Sequence, residues 1–324
     1  MGNVFRTASS TAKWLPFGDQ NRCWMQVTKR HTFSGHRDCV YALAGGEAST
    51  FFSAGGDGLV VQWDLQEVGD GALVARVPKS VYALLHLDDT GLLVAGQNFS
   101  GLHLIDYRNK KEVASLQLTD AAIFDIQRYH DDLLVASGDG LLTVVNLKTW
   151  TVTHRQSWST KSARCIAVNA AAGEAAIGYS DCSIRVVALD GYTLKQEIPA
   201  HQNSVFTVRY SPDGKLLLSG SRDARLKAWQ VGAPYVAAAD VAAHLFAINH
   251  LTYSPDGTYL ATASMDKSIK VWRAADLQLL KVIDKGRHAG HGTSVNKLLW
   301  SPYQQQLLSA SDDRSISAWD LLFL

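Results

Sequence analysis

Hydrophobic residues along this chain fall in short runs that partly alternate with polar ones and stop at turn residues. Val205–Tyr210, Lys215–Ser219 and Arg225–Gln230 are typical. The punctuation between such runs includes Ser-Pro-Asp-Gly at Ser211–Gly214, repeated at Ser254–Gly257, where Pro presets φ and Gly accepts a positive φ. Runs of this length and composition predict β-strands, and no stretch carries a convincing amphipathic helical period.

The pattern repeats. One phrase occurs four times and ends in tryptophan, at Ser53–Trp63, Ser219–Trp229, Thr262–Trp272 and Ser309–Trp319. Each copy has Ser or Thr ten residues before the Trp and Asp six before it, and a His precedes each: His36, His201, His244 and His291. Weaker copies fill the gap, with Ile105, Val145 and Val187 at the Trp position, so that the steps are 42, 40, 42, 42, 43 and 47 residues. A second register starts with Val-Tyr-Ala-Leu at Val40–Leu43 and Val81–Leu84. It continues through Ile123–Ile126, Cys165–Val168, Val205–Val208, Ile248–Leu251 and Val295–Leu298. Four strands in roughly 40 residues predict a propeller blade. The expected fold is therefore all-β, a seven-bladed propeller of four-stranded antiparallel blades.

These residues resemble the WD40 repeat family. The Gly-His pairs Gly35–His36 and Gly290–His291 and the Trp-Asp pairs Trp63–Asp64 and Trp319–Asp320 match its hallmarks, while Ala200–His201 and Ala243–His244 differ by Ala for Gly. The likeness runs from about Trp24 to the C-terminus and implies a ring closed by an N-terminal strand, expected around Trp24–Phe33 beside Trp319. Residues 22–324 are then one propeller. Residues 1–21 are expected to be a disordered tail or to precede a true start at Met25; docking through Trp14, Pro16 and Phe17 is the alternative.

The resemblance also implies a buried hydrogen-bonded chain in each complete blade. The sets are Trp63–Ser53–His36–Asp57, Trp229–Ser219–His201–Asp223, Trp272–Thr262–His244–Asp266 and Trp319–Ser309–His291–Asp313. Ser, His and Asp together invite a hydrolase reading, but four copies at repeat spacing point to a scaffold role. Blades two to four replace the Trp by Ile105, Val145 and Val187, and the Ser by Ala95, Val135 and Ile177. Their His positions fall near Val77, Thr119 and Lys161, and Asp139 and Asp181 persist while Phe99 takes the Asp place. Removing both partners leaves little unpaired, so these blades are expected to pack by apolar contact.

In propellers of this family three positions per blade line the narrow face around the channel. Five residues after the His they are Tyr41, Tyr82, Phe124, Ile166, Phe206, Asn249 and Asn296; three after it, Cys39, Ser80, Ala122, Arg164, Ser204, Ala247 and Ser294. Before the Asp they are Gly56, Asn98, Gly138, Ser180, Arg222, Met265 and Asp312. Aromatics followed by Arg have the composition of a binding hot spot. Tyr41, Tyr82, Phe124 and Arg164 are the leading candidates for partner contact, with Phe206, Arg222, Met265 and Asp312 beside them.

Composition narrows the function classes. With 31 basic and 30 acidic residues the net charge is +1, which gives no footprint for nucleic acid or an anionic membrane. No apolar run approaches the roughly 20 residues of a membrane span. Cys23, Cys39, Cys165 and Cys182 have no paired spacing and read as buried free thiols in a reducing cytoplasm. His288 and His291 have the spacing of a ligand pair, but His291 already belongs to a network, so no metal and no cofactor is expected. The reading is a non-enzymatic cytoplasmic scaffold, a monomeric ring within a complex, that binds a protein or peptide on its narrow face. The alternatives are a propeller enzyme or small-ligand binder using the channel, and a subunit docking through blade edges.

Overall fold

Seven four-stranded antiparallel sheets make up the computed structural model, which describes residues 25–323. Residues 1–24 lie outside the described residues, and with them the expectations for residues 1–21, for Trp24 and for Cys23. Each blade is a meander. Blade five runs through Val205–Tyr210, Leu216–Ser221, Arg225–Gln230 and Val236–Ala242. The first strands of successive blades touch one another and so ring the central channel, and the fourth strands form the outside. Burial follows this order: Leu216–Ser221 is almost wholly buried, whereas Val236–Ala242 alternates between exposed and half-buried positions.

Seven apolar clusters hold the ring together, one at each junction between neighbouring blades. At the junction of blades seven and one, Phe33, Phe51, Trp63 and Val61 pack on Leu308, Ile316 and Ala318. β-Branched and aromatic side chains suit both faces of such strands, because each sheet is covered by a blade on either side.

The seventh blade closes the ring. Met25–Ser34 pairs antiparallel with Ser315–Phe323, which also pairs with Leu307–Ser311, so the blade's outer strand comes from the start of the described chain. Closure gives the seventh blade its fourth strand, so that Ser315–Phe323 is not left as an open edge. The long step before Trp319 holds a single helical turn, Lys285–His288, capped by the Asp284 side chain. Among the described residues no helix is long and apolar enough to cross a membrane.

Seven equivalent backbone hydrogen bonds fix the register. The amides of Gly56, Asn98, Gly138, Ser180, Arg222, Met265 and Asp312 donate to the carbonyls of Cys39, Ser80, Ala122, Ser162, Ser204, Ala247 and Ser294 at 2.8–3.1 Å. This corrects blade four. Ala163 pairs with Tyr179 as Val40 pairs with Gly55, so the strand position assigned to Cys165 belongs to Ala163. Ser162 therefore takes the place expected of Arg164, and Arg164 takes the place expected of Ile166. Ile166 is buried deeper, opposite Ile177. The reason is that blade four has neither the Trp nor the His anchor, and Cys165–Val168 has the same apolar texture as Ala163–Ile166. The thiols are corrected too: Cys165 is buried, but Cys39 and Cys182 are only half-buried because they lie in turns.

Candidate functional site

The complete blades carry continuous hydrogen-bonded chains. In blade one Trp63 Nε1–H donates to Ser53 Oγ at 2.7 Å, Ser53 Oγ lies 2.7 Å from His36 Nε2, and His36 Nδ1 is 3.0 Å from Asp57. The corresponding distances are 3.0, 2.8 and 3.0 Å for Trp229–Ser219–His201–Asp223. They are 2.9, 2.7 and 2.8 Å for Trp272–Thr262–His244–Asp266, and 2.8, 2.8 and 2.9 Å for Trp319–Ser309–His291–Asp313. The hydroxyls of Ser53, Ser219, Thr262 and Ser309 belong to residues with no exposed surface, and each already accepts an indole proton. Each Asp also accepts from the backbone amide just after its His, at Arg37, Gln202, Leu245 and Gly292. The network thus positions the loops of the narrow face.

Proton placement follows from the partners. An imidazole that donates through Nδ1 to a carboxylate and accepts through Nε2 from a hydroxyl is neutral. Burial pushes the His201 and His244 pKa values below the ordinary imidazole value, against the pull of Asp223 and Asp266. A neutral folded His contributes stability that is full above the unfolded pKa of about 6.5 and is lost as pH falls through that value toward the folded one.

Blades two to four differ from one another. Ala95, Val135 and Ile177 are fully buried against Ile105, Val145 and Val187, as apolar packing requires. Blades three and four nevertheless rebuild part of a polar chain. Thr119, at the His position, donates to Asp139 at 2.6 Å, and Ser137 donates to the same carboxylate at 2.6 Å. In blade four the corrected register puts Ser159 rather than Lys161 at the His position, and Ser159 helps hold Asp181 below the usual carboxylate range. Arg185, only 5% exposed, donates to Asp181 at 2.8 Å, pairs with Glu197 at 3.2 Å and lies 4.5 Å from the Tyr179 ring. Apolar drift is thus incomplete, because the turn Asp keeps its backbone partners and retains a side-chain donor.

We expect His201→Ala to lose about 2–3 kcal/mol, since Ser219 and Asp223 are left without their buried partner, and Thr119→Ala to lose less than about 1 kcal/mol, since Asp139 keeps Ser137. The His201 variant should also lose part of the acid-induced decline below pH about 6.5. Urea midpoints at neutral and mildly acid pH check both; equal shifts for the two variants would contradict the assignment.

At the channel mouth five consecutive blades contribute one continuous arc. The Tyr41 and Tyr82 rings meet edge to face at 4.7 Å, and Tyr82 stacks on Phe124 at 6.0 Å. The Arg164 guanidinium lies 3.8 Å from the Phe124 centroid and 4.8 Å from that of Phe206. It has no carboxylate or hydrogen-bond partner among the described residues, and burial pushes its pKa down. On the other side, asparagines stitch the blades. Asn249 Nδ2 donates to Val295 O and Ser294 Oγ at 2.9 Å, and Asn296 Nδ2 donates to Val40 O at 3.1 Å and Asp312 Oδ1 at 2.7 Å. Asp312 is therefore engaged within the ring, while Arg222 is exposed.

Met265 is 49% exposed and does not stand alone. Leu245 and Phe246, in the loop after His244, are 83% and 62% exposed. The Met265 amide bonds Ala247 O and Ser264 Oγ bonds Phe246 O, which brings the three apolar residues together on blade six. Sequence reasoning missed Leu245 and Phe246. The signal was present: the same loop is Arg37-Asp38, Gln202-Asn203 and Gly292-Thr293 in the other complete blades. Among the described residues no His, Cys, Asp and Glu side chains cluster as metal ligands.

Comparison with known proteins agrees with this geometry. The family model described as WD domain, G-beta repeat, matches residues 27–64, 192–230, 239–273 and 283–320, and each match contains one complete set of Trp, Ser or Thr, His and Asp. Meiotic fizzy-related protein 1 of Schizosaccharomyces pombe is 26% identical over 215 residues, 62% of this chain and 49% of that protein. The DENN domain and WD repeat-containing protein SCD1 of Arabidopsis thaliana is 26% identical over 192 residues, 59% of this chain and 12% of its own. The Periodic tryptophan protein 2 homolog of Mus musculus is 29% identical over 132 residues, 39% of this chain and 14% of its own. The chain spans no more than about half the length of these relatives.

Proposed function

Since the chain belongs to the WD40 repeat family, we propose that it is a non-enzymatic scaffold, working in the cytoplasm, that binds a protein or peptide on the narrow face of its propeller. The observation that carries this reading is the pairing of two features on one face. One is the arc Tyr41, Tyr82, Phe124, Arg164 and Phe206; the other is the apolar group Leu245, Phe246 and Met265. Rigid aromatic and Arg side chains lose little entropy on docking, and adjacent exposed apolar residues gain most from being covered. The hydroxyls of the four networks are buried and doubly engaged, so none of these four is a solvent-facing nucleophile, which favours binding over hydrolysis at these sets.

Docking through blade edges has weaker support. The outer strands expose large apolar residues singly, Leu73, Val113, Leu194, Val236 and Leu279, on five different blades. Isolated surface apolar residues are ordinary.

Leu245→Ser/Phe246→Ser should leave the melting temperature unchanged within about 1 °C, because both side chains are exposed, and should lower recovery of the bound partner at least tenfold. Affinity capture from the native cell with quantitative mass spectrometry, wild type beside variant, checks this. Equal recovery of every stoichiometric partner would overturn the narrow-face reading.

A further inference from the structure

The channel holds a cavity of about 800 Å³ that runs inward from the aromatic arc at the mouth, large enough for a small molecule. Its next level is set by the residue after each bulge, which includes Asp125, Cys165, Thr207, His250 and Lys297, with Arg209 one level deeper. The charges here do not balance. Lys297 and Arg209 have neither an ion pair nor a hydrogen bond among the described residues, and Arg164 stands above them with only its two phenyl rings.

Asp125 offsets one of these three positive charges, since it acts on the buried Lys297 through space, and two remain without a carboxylate. Asp125 Oδ1 accepts from the Ile126 amide at 2.9 Å and from Gln127 at 3.1 Å, and Oδ2 accepts from the Ile166 amide of the next blade at 2.8 Å. Asp88 and Asp213 both point to solvent: Asp88 is 93% exposed beside His86, and Asp213, near the far end beside Arg209, is exposed and pairs with Lys215 at 3.5 Å. His250 adds a neutral donor. Its Nδ1 accepts from the Leu298 amide at 3.3 Å, so the proton sits on Nε2, which has no partner among the described residues. Burial, and then the charges of Lys297 and Arg209, keep this imidazole well below its ordinary pKa.

We propose that the channel interior is a binding site for a small, multiply charged oxyanion of the phosphate-ester or polyphosphate class, held by Lys297 and Arg209 and oriented by the His250 Nε2–H. Three inner strands from consecutive blades five, six and seven supply these groups, and all three line the same cavity. A phosphoryl group satisfies the two cations and accepts from the imidazole, which a neutral solute cannot do. The site shares its cavity with the docking arc but draws on residues further along the inner strands.

Inorganic pyrophosphate, titrated calorimetrically into the full chain at constant ionic strength, is the test. A single saturable site is expected. Lys297→Gln and Arg209→Gln should each weaken it at least about tenfold, the loss of one charge-assisted contact, while Lys297→Arg retains most of the affinity. Tyr41→Ala/Tyr82→Ala should bind pyrophosphate as the wild type does, which separates this site from the docking surface. Variants are compared only where melting shows them folded, and Arg209, the more exposed of the two, supplies the readout if Lys297→Gln does not fold. Absence of a saturable heat, or equal affinity in the folded Gln variants, overturns the proposal.

Discussion

Deleting residues 25–34 is expected to leave the protein insoluble or in irregular oligomers. This strand pairs along its length with Ser315–Phe323, and its loss leaves the backbone donors and acceptors of that strand without partners at an open edge. It also removes Met25 and Phe33, which are 5% and 3% exposed. Phe33 packs 5.2 Å from Phe51 and 5.5 Å from Trp63, so the junction of blades seven and one loses an aromatic as well as a strand. Burial of side chains this size contributes about 1.5–3 kcal/mol each, a large share of a typical domain's net stability. Size-exclusion chromatography and thermal melting measure the effect. A soluble deletion protein of native size and unchanged melting point would show that ring closure contributes nothing.

Trp319→Ala should be the most destabilising single substitution among the four network tryptophans, by about 4 kcal/mol. Trp319 is the largest fully buried side chain among the described residues, whereas Trp229 retains 7% exposure. Truncation opens a cavity between blades six and seven, where the indole packs with Leu298, Leu307 and Leu321, and it removes the donor to Ser309. Trp319→Phe separates the two contributions, since it restores most of the apolar volume without the N–H. It should cost about 1–2 kcal/mol, the value of a buried hydrogen bond. Urea unfolding of the three proteins decides; a Phe variant as unstable as the Ala variant would mean that the hydrogen bond outweighs the packing.

The repeat made the architecture readable, because each blade repeats the same alternation and turn chemistry within about 40 residues. The four networks were legible for a related reason. Their members recur at constant separations, Ser53 to Trp63 as Ser309 to Trp319, and hydrogen-bonding groups at fixed spacing in one hairpin must meet. Blade four was not legible. Without its Trp and His the only anchors were apolar, and Cys165–Val168 has the same texture as Ala163–Ile166, so the alignment slipped by two residues. That slip hid the place of Arg164 between Phe124 and Phe206.

Other features were non-local by nature. His250, Lys297 and Arg209 are separated by 40 or more residues, and only ring closure puts their side chains into one channel. Thr119 was placed at the His position from the sequence, but its bond to Asp139 was not foreseen, and Ser159 was hidden by the slip that put Lys161 there. Leu245 and Phe246 were readable. An apolar pair in a loop that is polar in the other complete blades is a surface signal, not a core one.

Hydroxyl-radical footprinting of the captured complex tests the central claim most directly, because it reads side-chain accessibility on both candidate surfaces at once. Docking on the narrow face predicts protection of Leu245, Phe246 and Met265, and of Tyr41 and Tyr82, with Leu73, Val113, Val236 and Leu279 reacting as they do in the free protein. Protection confined to those outer-strand residues, with the mouth and blade six unchanged, would contradict the account and move the interaction to the blade edges.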